Sequence, residues 1–221
     1  MSLKPTIVPL GDSALLVQLG EEIDLAVNQK VHTLASLIHA VPLEGLIETV
    51  PGYSTLLVHY DPLAINDTKL REWLSEKVEQ TGQVHAKKTQ QINVPVQYGG
   101  EYGVDLAFTA DFHHLSVEQV IRIHTGRTYI VYMMGFTPGF PYMGKLDDTI
   151  ATPRLETPRT RVPAGTVAIA GFQTGIYPID SPGGWRLIGY TPLRLFDPEA
   201  DAPFLFSPGD EVRFVVDRHD P

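Results

Sequence analysis

From Gly135 to Pro192 the chain reads GFTPGFPYMGKLDDTIATPRLETPRTRVPAGTVAIAGFQTGIYPIDSPGGWRLIGYTP, and glycine or proline punctuates it every few residues. Nine glycines and eight prolines fall here, nearly half of all those in the protein. Such density invites a reading as a disordered linker. Val162, Val167, Ile169, Ile176, Trp185, Leu187 and Ile188 are too apolar and too regularly placed for that. The stretch predicts short strands joined by tightly specified loops, with the working surface among them.

The rest of the 221 residues supply a core, since 43% of them are hydrophobic. A formal charge of -9 argues against a nucleic-acid partner, which requires a basic face. The stretch from 135 to 192 is locally near +1, so an anionic small molecule or an acidic group can still be met there. Without cysteine there are no disulfides, thiolate metal sites or cysteine nucleophiles. MSLKPTIVPLGD has no basic leader followed by an apolar core, and no run approaches the roughly 18 apolar residues that span a bilayer. The expectation is a soluble, cytoplasmic protein with no membrane contact.

Residues 14 to 19, ALLVQL, alternate as a strand after the turn formers Gly11, Asp12 and Ser13. Asp24 is placed to cap a helix with a stripe of Val27, Val31, Leu34, Ile38 and Val41, ending near Pro42. Two strands, 45 to 50 and 54 to 60, flank Pro51-Gly52 as a hairpin. Asp67 then caps a second helix carrying Leu70, Trp73, Leu74 and Val78, and Gly82 marks its stop. After a polar connector from 81 to 91 comes a strand, 92 to 98. Together these give a ferredoxin-like β-α-β-β-α-β order for an α+β N-terminal domain over 1–88, unless the last strand belongs to the next domain.

A second domain, 89–221, opens with short helices begun by Asp105 and by the capping box Ser116 to Gln119. Strands are expected at 128 to 134, 193 to 196 and 210 to 216, which with the glycine-rich stretch suggest a mainly β domain forming a closed or nearly closed barrel. His113, His114 and His124 have neither HExxH spacing nor clustered carboxylates, and read as ordinary surface or loop histidines, with no metal site.

GFTPGFPYMG lacks both GxxxxGK[ST] and GxGxxG spacing, and its prolines remove donors that a phosphate cradle would use. Phe136, Phe140 and Tyr142 suit either a core plug or one wall of an apolar pocket, and Pro138 is taken with Phe136 and Phe140 among the substrate-binding candidates. Arg154 and Arg159, each after a proline, are pre-organised to grip a carboxylate, with Arg161 a weaker candidate. Gln173, Thr174, Ser181, Gly183, Gly184 and Trp185 place donors suited to an amide or lactam oxygen. No GxSxG elbow surrounds Ser181, so no catalytic residue is assigned. The expected picture is a barrel mouth with aromatic walls, paired arginines and amide-binding turns, in which Arg159→Ala leaves the fold intact and weakens the ligand.

GFTPGFPYMG, the two Pro-Arg pairs, VPAGTVAIAGFQTGIYP and SPGGW followed by LIGYTP closely resemble the KipI/PxpB family, also labelled allophanate hydrolase subunit 1. GDSALLVQLG, ETVPGYSTLLVHYDP and VPVQYGG extend the resemblance over nearly the whole chain. It implies a cyclophilin-like barrel behind a smaller α+β domain. It also implies a role as the B-type subunit of an ATP-dependent 5-oxoprolinase, opening 5-oxo-L-proline to L-glutamate with a KipA-like, C-type partner and an A-type partner. ATP, with magnesium, is then used by the complex, on a chain the resemblance does not identify. Two alternatives come with the family: an inhibitor that binds a sporulation sensor histidine kinase, and an allophanate hydrolase component. Phe172, Thr166 and Tyr190 depart from the family's usual glycine, serine and basic residue.

Overall fold

Apolar alternation in the first part of the chain builds a four-stranded antiparallel sheet covered by two helices. In the computed structural model, which describes residues 5–41, 43–83 and 89–217, the chain divides into two units, Met1–Lys88 and Thr89–Pro221. The first unit runs β1 (Thr6–Pro9), β2 (Ala14–Gln18), α1 (Leu25–Ala40), β3 (Leu46–Pro51), β4 (Thr55–Tyr60) and α2 (Asp67–Gln80). Leu15 and Val17 of β2 lie opposite Val58 and Leu56 of β4, and the side chains on this face are buried with Val31, Leu34 and Ile38 of α1 and Leu70 and Leu74 of α2.

Asp24 caps α1 by accepting from the Val27 N–H at 2.9 Å. Val41, counted into the α1 stripe from sequence, is the exposed residue after the helix. At α2 the cap is Asn66, not Asp67: its extended backbone aims Oδ1 at the Lys69 N–H, 2.8 Å away, while Asp67 pairs with Arg71 one turn on. The proposed helix stop at Pro42 and residues 84–88 of the polar connector lie outside the described residues.

The strand order is β1-β2-β4-β3, which departs from the ferredoxin-like order in one respect. The strand after α2 does not return to this sheet. The edge beside β2 is filled by β1, a short strand ending in Pro9, and an edge is where a proline's missing donor is tolerated.

The second unit runs β5 (Gln91–Tyr98), α3 (Leu106–Phe112), α4 (Val117–Thr125), β6 (Tyr129–Met134), β7 (Pro141–Gly144), β8 (Arg159–Val162), β9 (Thr166–Ala170), β10 (Gln173–Ile176), β11 (Ser181–Gly183), β12 (Arg186–Tyr190) and β13 (Glu211–Val216). Seven strands close a barrel in the order β10-β7-β6-β13-β5-β12-β9, antiparallel except where β13 pairs parallel with β5. The remaining strands, β8 and β11, form a separate ribbon. The capping box at Ser116 and Gln119 is present at the start of α4. Leu193 to Phe196 is not a strand; Phe196 makes an isolated bridge to Phe204, in a segment where Pro192, Pro198 and Pro203 interrupt ladder donors.

β9 and β10 turn at Gly171 and Phe172. Gly171 takes φ +54°, the position of a two-residue hairpin turn that demands glycine, and Phe172 takes the position that does not. The departure from the family's glycine therefore costs the turn nothing. Among the described residues no helix is long and apolar enough to cross a membrane.

Candidate functional site

Every residue of β9 is buried, because both of its faces are covered. Val167 and Ile169 join the barrel core with Val94, Val131, Ile176, Ile188 and Phe214. Ala168 and Ala170, one position out of phase, belong to a second cluster with Phe140, Val162, Tyr177, Trp185 and Leu187. The small alanine side chains leave room for these rings to lie close to the sheet. Gly175 of β10 does the same for Phe140, whose ring is 2.9 Å from where a Cβ would sit. The aromatic cluster is thus on the outer wall of the barrel and not at its mouth.

A cavity of about 220 Å³ opens in this cluster, lined by Phe136, Phe140, Tyr142, Arg154, Pro158, Tyr177, Pro182, Gly183, Gly184 and Trp185. Phe140 meets Tyr177 at 5.2 Å and Trp185 at 5.4 Å between ring centroids, both edge to face. Phe136 is 62% exposed at the rim and has φ +65°, with Thr137 N–H donating to Gly135 C=O at 2.8 Å. An i to i+2 bond around a positive φ is the strained γ-turn, and a bulky residue there is uncommon. The strain presents the Phe136 ring over the cavity, against Phe140 at 5.7 Å.

Arg154 is the one charged side chain in the lining, and its cation opposes the upward shift that burial imposes on the Tyr142 and Tyr177 hydroxyls. At Tyr177 a hydrogen bond from the Trp185 backbone acts in the same downward direction as Arg154, and more strongly. Burial dominates in both, so each phenol stays protonated near neutral pH and can donate. Gly183 is fixed by this arrangement: a Cβ there would lie 2.2 Å from Tyr177 Oη.

Of the residues selected from sequence, Phe136, Phe140, Arg154, Gly183, Gly184 and Trp185 are brought together around the cavity. Pro138 is exposed in the turn that carries Phe136, and Gln173 is half-buried at the start of β10; neither lines it. Arg159 is committed elsewhere: Nη2 donates to Asp105 Oδ1 at 2.8 Å. Arg161 pairs with Asp180 at the surface. Ser181 Oγ is buried without a hydrogen-bond partner among the described residues and lies outside the lining. Tyr190 stacks on Tyr102 at 4.5 Å and borders a different cavity with Gly165 and Arg194.

Thr174 faces the barrel interior, and there it explains His124. The Thr174 hydroxyl donates to Ala168 C=O at 3.1 Å, so it accepts from His124 Nε2 at 2.9 Å, and the Tyr98 hydroxyl donates to the unprotonated Nδ1 at 2.7 Å. His124 is fully buried, unlike the surface or loop residue expected, and burial lowers its pKa to about 3. His113 is half-buried beside Thr152, and no group of three or more His, Asp or Glu among the described residues could hold a metal ion.

Sequence reasoning did not select Tyr177, Pro158 and Pro182 as site residues, whereas Tyr142, read as either a core plug or a pocket wall, does line the cavity. In TPRTR the visible signal is arginine, whereas it is Pro158 that touches the cavity.

Residues 5–206 match the family described as the carboxyltransferase domain, subdomain C and D. The chain is 43% identical to the B-type subunit of 5-oxoprolinase from Bacillus subtilis (strain 168), over 97% of its length and 94% of the relative's. It is 40% identical to the B-type 5-oxoprolinase subunit of Escherichia coli O157:H7, over 93% of each. Among solved structures, TTHA0988 superposes with a TM-score of 0.80 at 37% identity, over 94% of this chain, which spans only 40% of that longer one. The chain therefore belongs to the carboxyltransferase subdomain C and D family, and within it to the KipI/PxpB proteins that its motifs resemble.

Proposed function

We propose that this protein is the B-type component of a multi-subunit, ATP-dependent 5-oxoprolinase, and that the outer-wall cavity of its cyclophilin-like barrel is its contribution to binding 5-oxo-L-proline. The observation that carries the reading is identity of 40 to 43% over nearly the whole chain to proteins named as that component of 5-oxoprolinase. The cavity's chemistry suits that ligand. The carboxylate of 5-oxoproline meets Arg154, the lactam ring packs on the faces and edges of Phe136, Phe140 and Trp185, and the protonated Tyr142 and Tyr177 hydroxyls stand where an amide oxygen needs a donor.

A lactam is a reluctant electrophile, and transfer of a phosphoryl group to its oxygen supplies a leaving group for attack by water. The residues of this cavity do not fit the donor of that group. One guanidinium, a lining of rings and a volume of about 220 Å³ match neither a triphosphate nor its divalent cation. ATP with its magnesium is accordingly not assigned to this cavity, whose part is holding and orienting the substrate. The chain is expected to be inactive alone.

The test is reconstitution with the A-type and KipA-like C-type partners and measurement of ATP-dependent glutamate release from 5-oxo-L-proline. Turnover that requires all three chains supports the reading. A complete complex with no release above a no-enzyme control ends it.

A further inference from the structure

Asp105 precedes α3, is 6% exposed, and does not spend its carboxylate on capping the helix. Oδ1 accepts from Arg159 Nη2 at 2.8 Å and stands 3.9 Å from Arg186 Nη1; Oδ2 accepts from the Leu187 N–H at 2.7 Å. The Asp105 N–H donates to Leu187 C=O at 2.9 Å, so the two backbones are joined in both directions.

The two arginines come from the two segments that border the aromatic cavity, which backbone pairing also joins: Arg159 lies opposite Gly183 in the β8–β11 ribbon, and the Leu155 N–H donates to Gly184 C=O at 2.8 Å. Arg159 follows Pro158 on one wall, and Arg186 follows Trp185 on the other. Each reaches across to the other's segment. Arg159 Nη1 donates to Trp185 C=O at 3.4 Å, and Arg186 Nε donates to Pro153 C=O at 3.1 Å, beside Arg154. The Arg186 guanidinium also lies 3.9 Å from the centre of the Phe108 ring. Beyond those backbone contacts, one carboxylate thus ties the two side-chain laces between the walls, while Asp105 itself is not in the lining. A buried carboxylate is retained only with such compensation.

We infer that Asp105 is a positioning residue for this cavity: through Arg159 and Arg186 it sets the spacing between Arg154 and Pro158 on one wall and Gly183, Gly184 and Trp185 on the other, and thereby ligand affinity, without touching the ligand. The inference rests on the 5-oxo-L-proline reading only for the choice of probe.

The experiment uses the full chain with Trp73→Phe, which leaves Trp185 as the sole tryptophan of the original two. Asp105→Asn keeps the shape and removes the charge. Acrylamide quenching of Trp185 without ligand is expected to rise at least about twofold as the walls part. In the reconstituted complex, KM for 5-oxo-L-proline is expected to rise at least about tenfold with kcat changed less than about twofold, the pattern of lost binding without lost chemistry. Asp105→Asn combined with Arg159→Gln is expected to be no worse than the more damaging single change, because the two act through one contact. A merely structural role lowers the melting temperature and leaves quenching and KM in place; that result, or additive effects in the double variant, overturns the inference. Should Asp105→Asn fail to fold, Arg186→Lys, which keeps the charge but shortens the reach to Pro153, decides by the same two readouts: a rise supports the inference and no change overturns it. If the wild-type complex does not turn over 5-oxo-L-proline, the functional reading fails, and acrylamide quenching still decides on Asp105.

Discussion

Arg154 and Arg159 sit on the same proline-stiffened arm, and the fold gives them different tasks. Arg154 is exposed at the cavity with no ion pair to a described residue; Arg159 is half-buried against Asp105. Arg154→Ala is expected to lower affinity for 5-oxo-L-proline at least about tenfold, roughly 1.4 kcal/mol, with stability unchanged within about 0.5 kcal/mol. Arg159→Ala leaves the buried Asp105 carboxylate with the Leu187 N–H and with Arg186 at 3.9 Å, and is expected to cost about 1–3 kcal/mol of stability, read by urea denaturation. That reverses the expectation from sequence that the fold survives Arg159→Ala unharmed. The two glycines of SPGGW separate in the same way. Gly183→Ala drives a methyl into Tyr177 Oη and is expected to cost about 1–3 kcal/mol and close the cavity. At Gly184 the nearest atom to a new Cβ is 3.6 Å away on Pro158, an ordinary contact, so Gly184→Ala is expected to leave the melting temperature nearly unchanged. The aromatic residues, Arg154 and the glycine pair are legible because their chemistry is written in adjacent residues. The task of Arg159 is not, because its partner lies 54 positions earlier.

Elements are legible where their signals are local. The α1 cap, the α4 capping box and the β3–β4 hairpin each depend on residues within a few positions of one another. β1 escapes notice because TIVP is too short for alternation and ends in proline. Nothing in INVPVQY states which sheet will receive β5; its partners are β12 and β13. His124 shows the same limit on α4: its 3.6-residue phase does not reveal that Tyr98 and Thr174 enclose it from two other elements. It carries a pH prediction. The unfolded chain takes up a proton near the ordinary 6.5, whereas burial holds the folded imidazole neutral down to about 3. Stability from this group is therefore full above about 6.5 and is lost as pH falls, with a slope approaching about 1.4 kcal/mol per unit. Denaturation midpoints between about pH 6.5 and 5, where most carboxylates remain ionised, should decline in the wild type and flatten in His124→Gln.

At the scale of the molecule, family membership is legible in long ordered motifs, and the place of the pocket is not. A glycine-rich stretch points naturally to a barrel mouth, but β9 carries two apolar phases, one into the core and one outward. Which phase faces out depends on the closure of the whole barrel. That closure also yields a test. β13 completes the barrel by lying between β5 and β6, in parallel register with β5 from Gln91↔Glu211 to Val96↔Val216. A chain stopped after Phe206 lacks this strand and leaves two adjoining edges unpaired, so it is expected to aggregate or bind a hydrophobic dye, while the α1–α2 sheet unit keeps its far-ultraviolet signature.

On the ribosome the same parallel seam becomes a matter of timing. The sheet of the first unit has every strand it needs once Gln80 has emerged, and local hairpins can assemble it while synthesis continues. The barrel waits for its last strand: until Val216 clears the exit tunnel, β5 has no permanent neighbour on one side, and the apolar surfaces of the strands between remain open to solvent and to other nascent chains. Synthesis thus leaves β5 short of a neighbour from its own emergence until that of β13, and slow codons or chaperone supply across that interval would govern yield more than anything in the aromatic pocket itself.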